Sequence, residues 1–147
     1  MQIINEMKLE FMGVPENEGF ARVAVSAFAV QLDPTLDVLA DIKTAVSEAV
    51  TNAIVHGYAD APGTVCVFAV LRDDGTLEVT VTDKGRGIAD IAQAMQPFYT
   101  SQPEKERSGM GFSVMEAFMD GLKVESAPGR GTEVVMTKRI GSVRDDG

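Results

Sequence analysis

The sequence has no tryptophan, only two tyrosines and a single cysteine among its 147 residues. One cysteine excludes a disulfide framework, and because Cys66 stands in an apolar, strand-like run we expect a small buried thiol. No run approaches the roughly 18 apolar residues of a membrane-spanning helix. The opening MQIINEMKLEF also lacks the basic region and apolar block of a secretory signal. We therefore expect a cytoplasmic protein that does not enter a membrane.

Basic residues are few, with 13 lysines and arginines against 22 acidic residues and a formal net charge of −9. A chain of this charge is poorly suited to bind the phosphate backbone of nucleic acid directly. It suits a basic protein partner, although net charge mainly sets solubility and encounter rate. At this length we expect one domain spanning residues 1–147.

Apolar periodicity predicts the order of helices and strands. Alternating residues predict strands over about residues 7–11, 64–72, 77–82, 122–126 and 132–139. Helical spacing predicts helices over about residues 16–32, 35–56, 88–95 and 112–119. Strands joined by hairpin turns, such as Asp73-Asp74-Gly75, pair antiparallel. This order favours an α+β fold, a two-layer sandwich with a mixed, mostly antiparallel sheet and helices on one face.

Two apolar stripes at helical spacing are predicted to pack on the core. The stripe of the first helix consists of Phe20, Val23, Ala24, Ala27 and Phe28. The stripe of the second helix consists of Leu39, Ile42, Val46, Val50 and Ala53.

The run SEAVTNAIVHGY, which starts at residue 47, sets Glu48, Asn52 and His56 four residues apart. Four residues are just over one helical turn, so the three polar side chains form one line along the helix. A carboxylate and an amide one turn apart can hold a divalent cation and orient a nucleophile. The pattern fits equally a solvated helix face that ends at Gly57.

The motif Asp83-x-Gly85-x-Gly87 directly follows a predicted strand. Two glycines let a ligand approach the backbone, and a carboxylate there can accept hydrogen bonds from an exocyclic amine such as that of adenine. By itself, however, the motif is more simply a strand-to-helix turn capped by Asp83.

The run Ser108-Gly109-Met110-Gly111 precedes the last predicted helix. Small residues at a helix start leave backbone N–H groups free, and together with the helix dipole these attract phosphate. A tight turn with an N-cap serine also explains the run. It is neither a Walker loop, because no Gly-Lys-Ser/Thr follows, nor a dinucleotide fingerprint, because no βαβ unit surrounds it. The loop of about a dozen residues before it has the length of a lid or binding loop.

Together the three motifs resemble the N box and the two glycine boxes of an ATP-binding superfamily. Its members include histidine kinases, gyrase B, the Hsp90 chaperone and the mismatch-repair protein MutL. The resemblance covers essentially the whole chain, and the boxes Glu48-x-x-x-Asn52, Asp83-x-Gly85-x-Gly87 and Gly109-x-Gly111 occur in order. The runs SEAVTNAIVHGY and ERSGMGFSVMEAFMD are more similar still to bacterial anti-sigma factor serine kinases. The resemblance implies a histidine-kinase-like ATPase fold that uses ATP and Mg²⁺.

The resemblance also implies catalytic roles. Asn52 would ligate the Mg²⁺ that is bound to the nucleotide phosphates. Glu48 would be the general base that takes the proton from a substrate hydroxyl. Arg107 would be the lid cation that reaches the γ-phosphate.

Further residues would contact the nucleotide itself. The adenine amino group would meet Asp83, with Thr132 close to the same ring. The base and ribose would approach the backbone at Gly85 and Gly87. The phosphates would lie at the second glycine box, under a lid spanning roughly residues 97–108. The residues implied there are Ser108, Gly109, Met110 and Gly111.

Partners are implied in the same way. A sigma factor would be bound and inhibited, and an anti-anti-sigma protein would be phosphorylated on serine. The sigma factor would be of the sporulation type, with a general-stress type as the alternative, and the chain would form a homodimer. Arg22 matches a partner-contacting arginine of that family, although a lone exposed arginine is also simply a solvated charge. We interpret His56 as structural, and Gln102 stands where we expect a lysine in the lid of close relatives.

Three other functions stay open. A stand-alone ATPase would use Glu48 to activate water, as in the chaperone or MutL, whose proteins carry further domains. A histidine-kinase catalytic domain would need a histidine-bearing dimerisation domain, whereas the one histidine here lies within the N box. A nucleotide-dependent binding module would have lost transfer activity, against which the intact Glu48 argues.

Overall fold

A computed structural model of the chain describes residues 2–57, 63–85, 111–127 and 129–141, apart from the side chains of His56 and Ala127. Its strands are β1 (Ile3–Met12), β2 (Thr64–Arg72), β3 (Thr76–Asp83), β4 (Gly121–Ala127) and β5 (Gly131–Arg139). They form one sheet in the order β1-β2-β3-β5-β4, and each of its strand pairings is antiparallel.

The described part of the chain contains three α-helices, α1 (Asn17–Ala29), α2 (Leu36–Asn52) and α3 (Gly111–Phe118). A 3-10 turn, Val30–Leu32, extends α1, and a π-helical turn, Ala53–Gly57, extends α2. Of the helices described, none is both long and apolar enough to cross a membrane. The predicted helix over residues 88–95 lies outside the described residues.

Thr35 caps the start of helix α2, and its hydroxyl accepts a hydrogen bond from the backbone N–H of Val38 at 3.2 Å. This cap satisfies one of the free N–H groups of the first turn. Along the helix, apolar side chains fall on one face and are buried against the sheet, which confirms the predicted stripe. They are Ile42, Val46, Val50 and Ala53, with Leu39 partly buried at the margin.

The sheet supplies the other half of the core through alternate residues of its strands. On β2 and β3, the side chains of Val65, Val67, Val79 and Val81 point to the helices and are buried. Their neighbours point to the opposite face, as the two-residue period of a strand requires. The predicted α+β sandwich with helices on one face is therefore confirmed. Cys66 belongs to the opposite face and is half-buried, so the prediction of a buried thiol was wrong.

Helix α1 turns a different face to the core than we predicted. Phe28 is buried as expected, but Phe20 and Val23 are 53% and 61% exposed, and Ala27 is exposed as well. The buried face is instead made largely of small side chains, which allow α1 to lie close to α2. Its members are Ala21, Val25, Ser26, Phe28 and Ala29.

The displaced residues form an exposed apolar stripe on α1, which we call the α1 stripe. It consists of Phe20, Val23, Ala27 and Val30. The prediction failed because it weighted large apolar residues. The buried Ser26 is tolerated inside because its hydroxyl donates to the backbone carbonyl of Arg22 at 2.7 Å.

Lys138 of β5 holds the carboxyl end of α3. Its side chain is only 13% exposed, and Nζ donates to the backbone carbonyl of Phe118 at 2.7 Å. Nζ also lies 3.7 Å from a carboxylate oxygen of Asp41 on α2 and 4.0 Å from one of Asp120. A cation at this end of a helix satisfies an orphan carbonyl and complements the helix dipole. One side chain therefore ties β5, α2 and the end of α3 together.

We predict that Lys138→Met lowers the free energy of unfolding by about 0.5–1.5 kcal/mol, because the carbonyl of Phe118 loses its donor and the carboxylate of Asp41 loses its cation. Urea denaturation followed by circular dichroism measures the change. Lys123→Met is the matched control, since Lys123 pairs with Glu125 at 3.0 Å while its side chain is 71% exposed. The control should leave the urea midpoint nearly unchanged. Equal shifts for both variants would contradict the role given to Lys138.

Candidate functional site

The carboxyl end of α2 carries the first part of the site. Asn52 is the last residue of α2, Glu48 lies one turn before it, and both are half-buried. Beyond Asn52 the helix continues as the π-helical turn Ala53–Gly57, which packs on β3 and β5. Such widened turns occur mostly at functional sites. The turn thus brings the end of α2 against the two strands that carry Asp83 and Thr132.

Asn52 lies against the first residue of α3. A Cβ atom added at Gly111 would be 2.7 Å from Nδ2 of Asn52 and 3.0 Å from its Oδ1. Any side chain at Gly111 would therefore force the buried Asn52 amide to move. Nδ2 is buried and has no hydrogen-bond partner among the described residues. Buried donors are nearly always paired, so this amide has the chemistry to meet an acceptor on a ligand.

The start of α3 adds donors beside that amide. The first N–H groups of a helix have no partner within the helix, and they carry the positive end of its dipole. An amide donor next to such a helix start suits an anion that offers several acceptor oxygens, above all a phosphate.

Asp83 ends β3 at the second part of the site and is 5% exposed. Burial raises the pKa of the Asp83 carboxyl, and N–H groups of Gly85 and Thr132 that donate to the carboxylate act in the opposite direction. The bond from Gly85 measures 2.9 Å. An ionised carboxylate accepts and never donates, so Asp83 can recognise a ligand that presents an N–H group.

Glycine is also required where β5 approaches this carboxylate. Gly131 has φ +89°, and a Cβ there would collide with the backbone oxygen of Asp83 and lie 2.7 Å from Cα of Lys84. The start of β5 therefore runs tightly past the turn that follows β3. The sequence analysis did not single out Gly131, although a glycine beside a predicted strand can signal such an approach.

Thr132 follows Gly131 and pairs with Asp83 across the sheet. On its other side it pairs with Ser126 of β4, and the two hydroxyl oxygens are 2.8 Å apart. Ser126 was missed by sequence reasoning. Nothing in its local pattern indicates a function, because the row Ser126–Thr132–Asp83 exists only through the strand register.

Several predicted site residues lie outside the described residues. They are Gly87, Arg107, Ser108, Gly109 and Met110, together with the lid and its Gln102. The side chain of His56 lies outside them as well.

Arg22 of α1 is part of a network and is not a lone solvated charge. Its Nη1 lies 3.0 Å from a carboxylate oxygen of Glu18, and the hydroxyl of Ser47 donates to that oxygen at 2.9 Å. Nη1 also lies 3.4 Å from the Ser47 hydroxyl. The guanidinium is therefore oriented by both α1 and α2, although the side chain remains 41% exposed.

A metal here would need ligands beyond the His, Cys, Asp and Glu side chains of the described residues. Within the described ranges no group of three His, Cys, Asp or Glu side chains could hold an ion. Mg²⁺ is usually bound by one or two protein groups together with substrate phosphates and water. The amide oxygen of Asn52, beside a helix start whose N–H groups suit phosphate, fits that arrangement.

Residues 14–138 match the family model described as the histidine kinase-like ATPase domain. The structure of the RsbU and RsbW domains of Rv1364c from Mycobacterium tuberculosis has a TM-score of 0.68 and 23% identity, covering 95% of this chain and 33% of that one. Full-length ShkA in complex with AMPPNP gives a TM-score of 0.59 and 18% identity over 86% of this chain and 30% of that one. Both likenesses show the ATPase fold.

Two sequence relatives are similar to this chain over nearly their whole length. The anti-sigma F factor of Clostridium acetobutylicum is 54% identical over 141 residues, which are 96% of this chain and 98% of that protein. The anti-sigma F factor of Oceanobacillus iheyensis is 58% identical over 137 residues, which are 92% of this chain and 93% of that protein. The chain belongs to the histidine kinase-like ATPase family and, within it, to the family of anti-sigma F factors.

Proposed function

We propose that this chain binds and inhibits a sporulation sigma factor and uses ATP to phosphorylate a serine of the antagonist that releases it. The observation that carries the nucleotide part is the buried Asn52 amide, without a described partner, against the start of α3. The identity of 54% and 58% to two anti-sigma F factors supports the partner part. Sigma factors act on RNA polymerase, so the proposed function belongs in the cytoplasm.

The base of ATP would lie at Asp83. Its carboxylate accepts hydrogen bonds, and the exocyclic amine of adenine donates them. Thr132 stands beside it in the same row of the sheet. Gly85 follows closely and offers the base and ribose a backbone without a side chain.

The phosphates would lie between Asn52 and α3. The buried Nδ2 of Asn52 is suited to donate to a phosphate oxygen, while its Oδ1 is suited to ligate Mg²⁺. Held by Asn52 and the phosphates, Mg²⁺ would supply positive charge that offsets the negative charge of the transferring group. We propose that the backbone N–H groups at Gly109 and Gly111 bind further phosphate oxygens.

Glu48 would act as general base. It takes the proton from the serine hydroxyl of the antagonist while the serine oxygen bonds to the γ-phosphorus and the bond from that phosphorus to ADP breaks. The products are phosphoserine, ADP and the proton on Glu48. Arg107 supplies positive charge to the transferring group. The position of Glu48, one turn before Asn52, is compatible with this role.

Helix α1 would meet the protein partners. Arg22 is oriented by Glu18 and Ser47 yet remains partly exposed, which suits a contact with an acidic group of a sigma factor. The α1 stripe, which is apolar and exposed, suits the interface of the proposed homodimer. The two features lie on neighbouring residues of one helix.

We predict that Gly111→Ala weakens ATP binding in the presence of Mg²⁺ and lowers the free energy of unfolding by about 1–3 kcal/mol through overpacking against Asn52. In the double variant with Asn52→Ala, the stability should largely return, because the clash between the two side chains is removed. ATP binding should stay weak, because the Asn52 amide that would hold Mg²⁺ and phosphate is missing. Calorimetric titration and urea denaturation give the two readouts. The control is Gly19→Ala, where the nearest atom to an added Cβ is Nη2 of Arg22 at 3.6 Å. Additive losses in the double variant would refute the proposed contact.

We predict that Glu48→Gln slows phosphate transfer at least about 100-fold, because a general base contributes roughly 10²–10⁴ in rate. The assay uses radiolabelled ATP, Mg²⁺ and a candidate antagonist, followed by identification of the labelled residue. ATP affinity should change little, which calorimetry checks. Label on serine supports the proposal. Free phosphate alone would indicate an ATPase, and acid-labile phosphohistidine would indicate a histidine kinase. Loss of binding together with transfer would make Glu48 structural.

We predict that substitutions at two adjacent residues of α1 affect different properties, one the binding of the sigma factor and the other dimerisation. Arg22→Glu should weaken sigma-factor affinity at least about tenfold, since a charged contact is reversed, while dimer mass and ATP affinity stay unchanged. Val23→Glu should convert the dimer to monomer, because it places a charge in the α1 stripe. Sedimentation and calorimetry measure both variants, and each serves as the control of the other. A dimeric Val23→Glu would remove the stripe from the interface, and unchanged sigma binding would remove Arg22.

A further inference from the structure

The hydroxyl pair Ser126 and Thr132 lies at the end of the sheet beside Asp83. Ser126 of β4 pairs with Thr132 of β5, and Thr132 pairs with Asp83 of β3, so the three stand in one row. Directly opposed residues of antiparallel strands share a face, and the face here is that of the buried Asp83 carboxylate.

The contacts of this pair favour one assignment of the two hydroxyl protons. Oγ of Ser126 lies 2.9 Å from the backbone oxygen of Gly131, and a carbonyl oxygen can only accept, so the proton of Ser126 is used there. Oγ of Ser126 and Oγ1 of Thr132 are 2.8 Å apart. Each hydroxyl has one proton, so the assignment that supplies a proton to both contacts has Thr132 donating in the second bond. Its own proton then points at Ser126, and towards a ligand Thr132 can only accept.

The neighbouring carboxylate of Asp83 likewise accepts hydrogen bonds and does not donate them. Asp83 receives N–H groups from Gly85 and Thr132, and an ionised carboxylate has no proton to give. Among the described residues, the Asp83 carboxylate and the Thr132 hydroxyl therefore both present acceptors at this end of the sheet. These two groups can bind an N–H donor, whereas a carbonyl oxygen placed against them would meet lone pairs.

We propose that Ser126 is a positioning residue that determines base specificity: by accepting the proton of Thr132 it keeps that hydroxyl an acceptor, and so favours a purine with an exocyclic amine over one with a carbonyl. The inference rests on the proposed function, in which the nucleotide base lies against Asp83. Guanine carries a carbonyl oxygen at the ring position where adenine carries its amine. Without the serine hydroxyl, Thr132 can rotate and donate to that oxygen.

The test compares Ser126→Val with Ser126→Thr, which have the same shape and differ in the hydroxyl alone. Equilibrium dissociation constants with Mg²⁺ are measured for ATP, GTP and purine riboside triphosphate, which lacks the exocyclic group. Ser126→Val should reduce the preference for ATP over GTP about fivefold or more, the equivalent of one neutral hydrogen bond. Ser126→Thr should keep the wild-type preference. The affinity of both variants for purine riboside triphosphate should match that of the wild type.

The remaining outcomes distinguish a failure of this inference from a failure of the proposed function. If the wild type prefers ATP and Ser126→Val keeps that preference unchanged, this inference is wrong and the proposed function stands. Equal loss of affinity for all three nucleotides would make Ser126 merely structural and would also overturn it. A wild type that binds none of the nucleotides overturns the proposed function together with this inference. Thr82→Ala, whose side chain is on the opposite face of β3 beside Asp83, is expected to behave as wild type.

Discussion

The buried face of α2 packs against the sheet on one side and against α1 and α3 on the others, and this packing determines where Glu48 and Asn52 lie. A fully buried aliphatic side chain contributes about 1.5–3 kcal/mol, and α2 carries several of them, so the helix cannot rotate without large loss. Its apolar stripe thereby fixes the direction of its polar line. Asn52 is held against Gly111, at a separation that leaves no room for a side chain on α3.

The position of α3 depends on this constraint and on a second one at its other end. Gly111 fixes the start of the helix through contact with Asn52, and Lys138 holds its last turn through the carbonyl of Phe118. The helix has eight residues, too few to be stable alone in water. Its direction is therefore set by tertiary contacts, and those contacts bring its amino-terminal end to the end of α2.

Burying the carboxylate of Asp83, the proposed acceptor for the base, lowers the stability of the fold. Because burial raises the pKa of its carboxyl, ionisation is less favourable in the folded protein than in the unfolded chain. Its contribution therefore makes the protein less stable as the pH rises from the unfolded pKa through the folded one. The N–H groups of Gly85 and Thr132 offset part of that loss. The same two bonds fix the turn after β3, and in the proposed function the carboxylate also accepts from the ligand.

Much of the fold was predictable because periodicity reports burial directly. The stripe of α2 and the alternation of β2 and β3 have large apolar residues on the buried side, and the structure agrees. The face of α1 was not predictable in that way. Alanines and a serine form its inner side, and Phe20 and Val23 point outwards. The size of the apolar side chains was misleading, because large apolar residues on α1 lie on its exposed face and small ones on its buried face.

The candidate site was predictable only in its local motifs. Glu48, Asn52 and Asp83 stand in patterns whose spacing has a chemical meaning. Ser126 has none: its partner Thr132 is close in the chain, but the row reaches Asp83 only because β5 pairs with β3, a strand far away in the chain. Register across such strands is not encoded in any short run. The same holds for the contact of Gly111 with Asn52, which requires the packing of two separate helices.

Helix α2 also joins the proposed nucleotide site to the proposed partner surface. Glu48 and Asn52 stand on one side of it, and Ser47, the neighbour of Glu48 in sequence, reaches Glu18 and Arg22 on α1. If nucleotide binding shifts α2, one hydroxyl transmits the shift to the guanidinium. Coupling of this kind is reciprocal, so a partner that binds Arg22 must then change nucleotide affinity by the same factor. A ligand that binds both arrangements equally would shift neither, and partner choice therefore requires contacts that differ between the nucleotide states.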